Sequence, residues 1–302
     1  MRLKEALEQG VELLEKGGVP SPRITAEVLL MHAARCDRAQ LYAHPERELA
    51  EVEWIHYGRY LHERLQGKPT QYITGHQEFW GMDFLVNPSV LIPRPETELL
   101  VEASLALARR HFPSGTELNI ADVGTGSGCI AVALAKELPP ARIYALDQSL
   151  EALETARRNA ARLGVGQRIS FLLSDLLEVG SGEVLPPLQM VVSNPPYVSE
   201  RDRAGLMREV RDFEPAQALF AGESGSDVYA RLIPQASRAL CAGGYIVLEL
   251  GYDAQEKVGS LLSAEKWENI EWQRDLAGIV RVITARRRPT ASAAPTAEAD
   301  SS

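Results

Sequence analysis

The sequence predicts an α/β protein with a seven-stranded, mostly parallel sheet and a small N-terminal helical domain. Short apolar strands alternate with helical segments between residues 118 and 284, and this alternation is typical of a parallel sheet covered by helices. A glycine-rich turn follows the first of these strands, at the position where open α/β sheets bind ligands. Residues 1–75 differ, because their apolar residues recur at helical spacing without any alternating strand pattern.

The composition is that of an ordinary globular protein. The 302 residues are 45% hydrophobic and 24% charged, which excludes wholesale disorder and allows one large domain plus a smaller module. We expect neither a membrane-spanning helix nor a signal peptide, because no run of 18 apolar residues occurs and the N-terminus turns acidic within five residues. Cys36, Cys129 and Cys241 form no CxxC pair, which fits a reducing cytoplasm and argues against a zinc ribbon.

The charge balance bears on the kind of partner. Acidic residues outnumber basic ones by 41 to 32, which gives a net charge of −9. A protein whose affinity came mainly from neutralising phosphates would show the opposite balance, although an acidic chain can still carry a local basic groove. The six histidines form no HExxH pattern, so no metal is expected.

Three helices are predicted in the N-terminal domain, residues 1–75. The first is indicated by apolar residues at helical spacing, Leu3, Leu7, Val11 and Leu14. Ser21 and Pro22 resemble an N-cap and a first helical residue, and predict a second helix over 23–34; a third is predicted at about 50–65. The domain carries ten basic and eleven acidic side chains, so the acidity lies elsewhere. Two interpretations stay open: a bundle that caps the main domain, and a module that docks a macromolecular partner.

Residues 76–95 are predicted to form a hairpin linker, because aromatic and apolar residues flank Gly81-Met82-Asp83. A helix is then predicted from Glu98 to about Arg110, at the start of the main domain, residues 96–285. Its strands are predicted at 118–123, 141–146, 169–173, 189–193, 244–250, 270–273 and 279–284, with further helices at 130–138, 150–163 and 228–240. Residues 286–302, rich in alanine, serine, threonine and proline after the first arginines, are predicted to be a disordered tail.

The first candidate binding element is Asp122-Val123-Gly124-Thr125-Gly126-Ser127-Gly128, at the end of the first strand of the sheet. Three glycines allow the backbone to turn tightly and to approach a ligand without Cβ collisions. The spacing is GxGxG rather than the GxGxxG of dinucleotide sites, and the Gly-Lys-Ser/Thr of a P-loop is absent. Asp122 would repel a pyrophosphate but would suit a ligand that bears an ammonium group. A tight turn without a ligand is the alternative interpretation.

Two carboxylates follow the next two strands. Asp147 lies 23 residues after Gly124, where α/β nucleoside binders place an acid that accepts hydrogen bonds from both ribose hydroxyls. Asp175 is similarly placed after the third strand and could meet the exocyclic amine of a purine. An aspartate after a strand is also a common turn or N-cap residue, so each assignment depends on the glycine loop beside it.

A second candidate element, Ser193-Asn194-Pro195-Pro196-Tyr197, follows an apolar strand. Prolines are stiff and have no N–H to donate, so the segment presents acceptors, namely the Asn194 side-chain oxygen and the Pro195 carbonyl. These two oxygens can hold an –NH2 group by both hydrogens and aim its nitrogen. Tyr197 offers a face for a planar amide or base. The alternative is a simple turn that ends the strand.

With these residues the chain resembles class I S-adenosylmethionine-dependent methyltransferases, whose ligand has an α-amino group and no phosphate. More closely, it resembles the release-factor glutamine methyltransferases, which modify the amide nitrogen of the glutamine in the Gly-Gly-Gln loop of peptide chain release factors. Over residues 20–285 the match also includes Leu91-Ile92-Pro93-Arg94-Pro95-Glu96-Thr97-Glu98, Phe213-Glu214-Pro215 with Ala218-Leu219, and Leu248-Glu249-Leu250-Gly251. The resemblance implies a Rossmann-like methyltransferase sheet, S-adenosyl-L-methionine as cofactor, a cytoplasmic location, and release factors as protein substrates engaged by the helical domain.

The resemblance also implies roles for individual residues. Cofactor contacts are expected from Asp122, Gly124, Thr125, Gly126, Ser127, Gly128, Asp147, Asp175, Leu176 and Asn194. The target glutamine is expected at Asn194, Pro195, Pro196 and Tyr197, with Asn194, Pro195 and Tyr197 taking part in catalysis. Some family members have an aromatic residue where this chain has Leu176, so adenine packing would be aliphatic there.

Three rival functions remain. A glutamine of a ribosomal protein would be modified by the same chemistry. A nucleic-acid adenine or guanine would also suit Asn-Pro-Pro-Tyr, but the acidic balance and the lack of a basic cluster outside 286–288 argue against direct nucleic-acid binding. A non-catalytic cofactor-binding adaptor would have no need of the two acceptor oxygens, of Asn194 and Pro195, that follow the fourth predicted strand.

Overall fold

The computed structural model describes residues 1–113, 115–182 and 184–289. Its N-terminal domain contains α1 (Leu3–Lys16), α2 (Pro22–Ala34), α3 (Arg38–Ala43), α4 (Glu51–Leu65) and α5 (Thr70–Thr74). The three predicted helices are present as α1, α2 and α4, and they bury a common apolar core. Ser21 precedes α2 but makes no capping hydrogen bond, because its φ is +49°. The two helices that were not predicted have six and five residues, too few to show a period.

The main domain is an eight-stranded sheet with the strand order β6-β5-β4-β3-β7-β8-β10-β9. Five strands run parallel: β3 (Asn119–Val123), β4 (Arg142–Asp147), β5 (Ile169–Asp175), β7 (Leu188–Ser193) and β8 (Leu240–Glu249). Three pair with their neighbours in antiparallel fashion: β6 (Glu178–Val179), β9 (Trp267–Arg274) and β10 (Val280–Arg287). All seven predicted strands are present, and the eighth is the two-residue edge strand β6.

Helices cover both faces of this sheet. They are α6 (Glu98–His111), α7 (Cys129–Glu137), α8 (Leu150–Arg162), α9 (Arg208–Phe213), α10 (Ala216–Leu219), α11 (Asp227–Ala239) and α12 (Gln255–Leu261). Side chains of α6 and α7 share one apolar core with the sheet, and those of α11 and α12 share the other. Neighbouring residues of β3 illustrate the division, since Ile120 belongs to the first core and Ala121 to the second.

The predicted hairpin consists of β1 (His76–Phe79) and β2 (Met82–Leu85), paired antiparallel. Phe79 and Phe84 are almost fully buried in the first core of the main domain. The Asn159 side chain on α8 accepts a hydrogen bond from Leu85 N at 2.8 Å and donates one to Leu85 O at 2.9 Å. The hairpin is therefore part of the main domain's packing as well as a link from the helical domain.

The boundary predicted for the tail, 286–302, is wrong at its start. Arg286 and Arg287 are the last two residues of β10, where Arg286 pairs with Tyr245 of β8. Residues 290–302 of that prediction lie outside the described residues. Among the residues that are described, no helix combines the length and apolar character needed to cross a membrane.

Candidate active site

A cavity of about 730 Å³ opens at the carboxyl ends of the parallel strands. Because β3, β4, β5 and β7 end at the same edge of the sheet, the residues that follow them come together although they are distant in sequence. The cavity is lined by these predicted site residues: Gly124, Gly126, Asp147, Asp175, Leu176, Asn194 and Pro196.

The three glycines of the glycine loop, residues 124–128, serve two different functions. Gly124 and Gly126 have φ of +74° and +55°, and a Cβ on Gly124 would meet no atom within 4 Å. Both line the cavity, so a ligand can lie directly against this backbone. Gly128 has a φ of +81°, and its Cβ would lie 2.9 Å from that of Ala156 on α8. The third glycine therefore allows helix packing rather than ligand approach.

Asp122 lies beneath the glycine loop and not on the cavity wall. Its carboxylate is fully buried, and Oδ2 accepts hydrogen bonds from Thr125 Oγ1 at 2.7 Å and from Ala131 N at 3.1 Å. Burial raises the pKa of Asp122 to about 7. Thr125 and Ser127 are buried as well. In this structure Asp122 holds the loop from behind, and its Oδ1 has no partner among the described residues; the contact between Asp122 and an ammonium group stays a prediction.

Asp147 lies where the prediction placed it, at the end of β4 on the cavity wall. Its two oxygens accept hydrogen bonds from Gly126 N at 2.9 Å and from Ser149 N at 3.0 Å. Burial raises the pKa of Asp147 above its ordinary value, although these backbone bonds oppose the rise. Each carboxylate oxygen keeps acceptor capacity, which is what a pair of vicinal hydroxyls requires.

Asp175 is the last residue of β5, Leu176 follows it, and both line the same wall. Asp175 Oδ2 lies 2.5 Å from Nη2 of Arg231 on α11, a partner that sequence reasoning missed, since only the packing of α11 beside β5 brings it there. A bound amine would therefore share Asp175 with a cation. Leu176 has a φ of +56° and presents an aliphatic surface to the cavity.

The loop after β7, residues 194–197, is fixed at its first residue. Asn194 is half-buried on the cavity wall, and its Nδ2 donates to Thr97 Oγ1 at 3.1 Å. The side-chain nitrogen is thereby occupied, and the side-chain oxygen is left as the acceptor that the sequence predicts. Pro195 is buried, whereas Pro196 is half-buried and lines the cavity.

Tyr197 is not among the residues that line the cavity in the described structure. Its ring lies against the backbone of Gly251, where a Cβ would come within 2.8 Å of Tyr197 Cδ2. Burial raises the pKa of its hydroxyl to about 12, so the hydroxyl stays neutral, and its contact with a planar amide stays a prediction.

Two buried glutamates, Glu214 and Glu249, belong to the remaining motifs of the resemblance, 213–219 and 248–251. The sequence analysis gave neither of them a role. Glu214 is buried after α9, and it accepts from Arg94 Nη2 at 2.5 Å and from Ile92 N at 3.3 Å. Glu249 ends β8, and burial raises the pKa of Glu249 to about 7. For Glu249 the sequence did hold a signal, because this residue is an acid within the otherwise apolar run 246–250.

Two family models match separate parts of the chain. Residues 5–75 match the family described as the PrmC N-terminal domain, and residues 98–211 match the Methyltransferase small domain. The chain is 47% identical over 289 residues to the Release factor glutamine methyltransferase of Koribacter versatilis, covering 95% of this chain and 99% of that protein. It is 43% identical over 291 residues to the protein of the same name from Nitratidesulfovibrio vulgaris, covering 94% and 95%.

Solved structures show the same fold. The hMettl16 catalytic domain, in complex with the MAT2A 3′UTR hairpin 6, matches with a TM-score of 0.54 at 15% identity, covering 76% of this chain and 84% of that one. At this identity the likeness concerns the fold alone.

Proposed function

The chain belongs to the release factor glutamine methyltransferase family, and from this premise we propose that it methylates peptide chain release factors. The acceptor is the side-chain amide nitrogen (N5) of the glutamine in the Gly-Gly-Gln motif, and the methyl donor is S-adenosylmethionine. The observation that carries the proposal is the side-chain amide of Asn194, whose nitrogen is bound to Thr97 while its oxygen remains free to accept from an –NH2 group.

The cavity fits the methyl donor. A volume of about 730 Å³ lies within the range of small-molecule sites, and the space where Gly124 and Gly126 lack Cβ atoms lets an adenosyl ligand lie against the loop. Asp147 would accept hydrogen bonds from the ribose hydroxyls, and Leu176 would lie against one face of the adenine. When bound, S-adenosylmethionine supplies a methyl group attached to a sulfonium sulfur, and this sulfur is a good leaving group.

The protein's own contribution is placement of the acceptor. An amide nitrogen is a poor nucleophile because its lone pair is delocalised into the carbonyl. Asn194 Oδ1 and the Pro195 carbonyl would accept its two hydrogens and aim the nitrogen along the methyl–sulfur axis, an alignment that can be worth roughly 7–11 kcal/mol. Both bonds strengthen as positive charge develops on the nitrogen, so they stabilise the transition state more than the ground state. The nitrogen–carbon bond forms as the sulfur–carbon bond breaks, and one proton then leaves the nitrogen to water.

The N-terminal domain would hold the rest of the release factor. Arg64 on α4 is buried, and its Nη2 lies 2.5 Å from Oε2 of Glu209 on α9, so the helical domain sits on the segment that follows the Asn194 loop. We place the protein in the cytoplasm, where its three cysteines, all unpaired in the structure, would stay reduced.

The test is transfer of labelled methyl to purified release factor, ribosomal protein and DNA, assayed side by side. We expect the label on the release factor at its glutamine, as located by peptide mass spectrometry. A release factor whose glutamine is replaced by alanine is the matched control and should take no label. Faster labelling of the ribosomal protein or of DNA would contradict the proposal and favour the corresponding rival.

A further inference from the structure

Part of the cavity wall is a segment of irregular backbone. Residues 86–94 run from the end of β2 toward α6, and Ser89, Val90 and Leu91 among them line the cavity. Irregular backbone has no continuous ladder of hydrogen bonds like that of a strand or a helix, so its polar groups need other partners. The position of this wall therefore depends on the side chains that bind it.

The first such side chain comes from the helical domain. Tyr72 lies in α5 and is 6% exposed, and its hydroxyl donates to the carbonyl oxygen of Val90 at 2.6 Å. Its ring shares a small apolar core with Val90, Ile92 and Ala152 of α8. Both Val90 and Ala152 line the cavity, so the helical domain reaches the back of the cavity wall through Tyr72.

The second side chain is that of Glu214, which joins this segment to another part of the wall. It is 1% exposed, and its carboxylate accepts from Ile92 N at 3.3 Å and from Arg94 Nη2 at 2.5 Å. Pro215 and Ala216, which follow it in the chain, line the cavity. Separation of a buried carboxylate from its cation is strongly unfavourable. The two wall segments are therefore bound to each other.

We propose that Tyr72, Glu214 and Arg94 are positioning residues for the methyl donor. They hold residues 89–91 against the rest of the wall and so keep the cavity at the width that S-adenosylmethionine fits. None of the three lines the cavity in the described structure, so each acts through the backbone that it binds. The inference rests on the proposed function, because the position of this wall affects donor affinity only if the donor occupies the cavity.

The experiment measures the Kd for S-adenosylmethionine by calorimetry on the full chain, together with kcat for methylation of intact release factor at saturating donor. Tyr72→Phe removes only the hydroxyl, and Glu214→Gln removes the charge but keeps an oxygen for Ile92 N. We expect each variant to raise the Kd about three- to tenfold, the effect of losing one hydrogen bond. The kcat should stay within about twofold of the wild type, because only uniform binding is lost.

The arginine gives a test by conservative rescue. Arg94→Lys keeps a cation for Glu214, whereas Arg94→Gln leaves the buried carboxylate without one. We therefore expect Arg94→Lys to bind the donor more tightly than Arg94→Gln.

Tyr57→Phe is the matched control for Tyr72→Phe, because Tyr57 is fully buried in the helical domain and its hydroxyl has no hydrogen-bond partner among the described residues. Glu53→Gln is the control for Glu214→Gln, since Glu53 pairs with Arg47 within the helical domain at 2.6 Å. Both controls should keep the wild-type Kd and kcat.

Denaturant unfolding of every variant separates positioning from general stabilisation. The proposal is overturned if Tyr72→Phe or Glu214→Gln keeps the wild-type Kd, whether or not its stability falls, or if Arg94→Lys and Arg94→Gln bind the donor equally. Tyr72→Phe and the two arginine variants decide the matter if Glu214→Gln does not fold. A wild-type protein that binds no S-adenosylmethionine would instead overturn the proposed function.

Discussion

The glycine loop after β3 rests on Asp122, and the loop after β7 rests on Thr97. Both supports are buried; Asp122 is an acid whose pKa is raised to about 7 by burial, whereas Thr97 is a neutral hydroxyl. The two supports differ in how far apart in the sequence the bonded residues lie. Asp122 bonds residues three and nine positions along the chain, whereas Asn194 meets Thr97 across 97 positions.

This difference separates a loop that is formed by local sequence from one that depends on the assembled fold. The glycine loop carries its own support in the strand that precedes it, and its task is to let a ligand approach the backbone. The Asn194 loop must hold one amide in one orientation, and the partner for that, Thr97, comes from another element. Substitutions that disturb the glycine loop should change the affinity for the cofactor. Substitutions that disturb the Asn194 loop should change the rate of methyl transfer.

The largest effect is expected at Asn194. Asn194→Ala removes the acceptor oxygen, and Asn194→Asp removes the side-chain N–H that donates to Thr97. We expect both to lower kcat by 10²-fold or more, since a small misplacement of the acceptor has effects of that size. Asn119→Ala is the control, because Asn119 starts β3 at the opposite edge of the sheet. Near wild-type kcat for Asn194→Ala on release factor would remove this loop from the mechanism.

A pH series tests Asp122 as the buried support of the glycine loop. The pKa of Asp122 is about 7 in the folded protein against 3.8 for the free side chain, so the folded state holds its proton more tightly. The contribution of Asp122 to stability is present below about pH 4 and is lost as the pH rises through about 7. Relative to the wild type, Asp122→Asn should therefore gain stability over this interval, by about 2–4 kcal/mol. Denaturant unfolding of both proteins at each pH measures the difference; a pH-independent difference would contradict it.

Asp147 should affect cofactor binding and little else. Asp147→Ala removes the charged acceptor expected to meet two ribose hydroxyls, at a cost of about 2 kcal/mol, or roughly 30-fold in Kd for S-adenosylmethionine. Calorimetry measures it directly. Asp83→Ala is the control, because Asp83 forms its ion pair with Arg162 on the outer side of the hairpin. Unchanged affinity in Asp147→Ala would move the ribose site elsewhere.

The smallest effect is expected on the helical domain, which would recruit the substrate without touching the reacting atoms. Val52 and Ile55 on α4 are 56% and 59% exposed, and such apolar side chains are candidates for contact with the release factor. Replacing both with serine should raise KM for intact release factor about fivefold at most and leave kcat and cofactor affinity unchanged. Steady-state kinetics with intact factor and with a short glutamine peptide would separate the two parameters. An unchanged KM would favour the bundle as a structural cap.

The sequence was sufficient for residues whose position follows from the end of a strand. The alternation of strands and helices predicted the sheet, and Asp147 and Asn194 were correctly expected at its carboxyl edge. The direction of a side chain was not predicted even where its partner is close in sequence, since nothing in the motif reveals that Asp122 turns inward to Thr125. The contacts of Asn194 with Thr97 and of Asp175 with Arg231 were also out of reach, because each joins elements brought together only by the fold.

The buried pairing of Arg64 with Glu209 has a consequence for how substrates are chosen. Arg64 Nη1 also donates to Lys68 O at 3.2 Å, so the guanidinium is held from both domains and separating it from Glu209 would leave a buried cation unpaired. The helical domain is thus fixed in relation to the cavity instead of swinging on a tether. The distance between the helical domain's surface and the cavity is therefore constant. Among proteins that display a suitable glutamine, it should accept those in which that residue stands at the set distance from the surface that α4 engages.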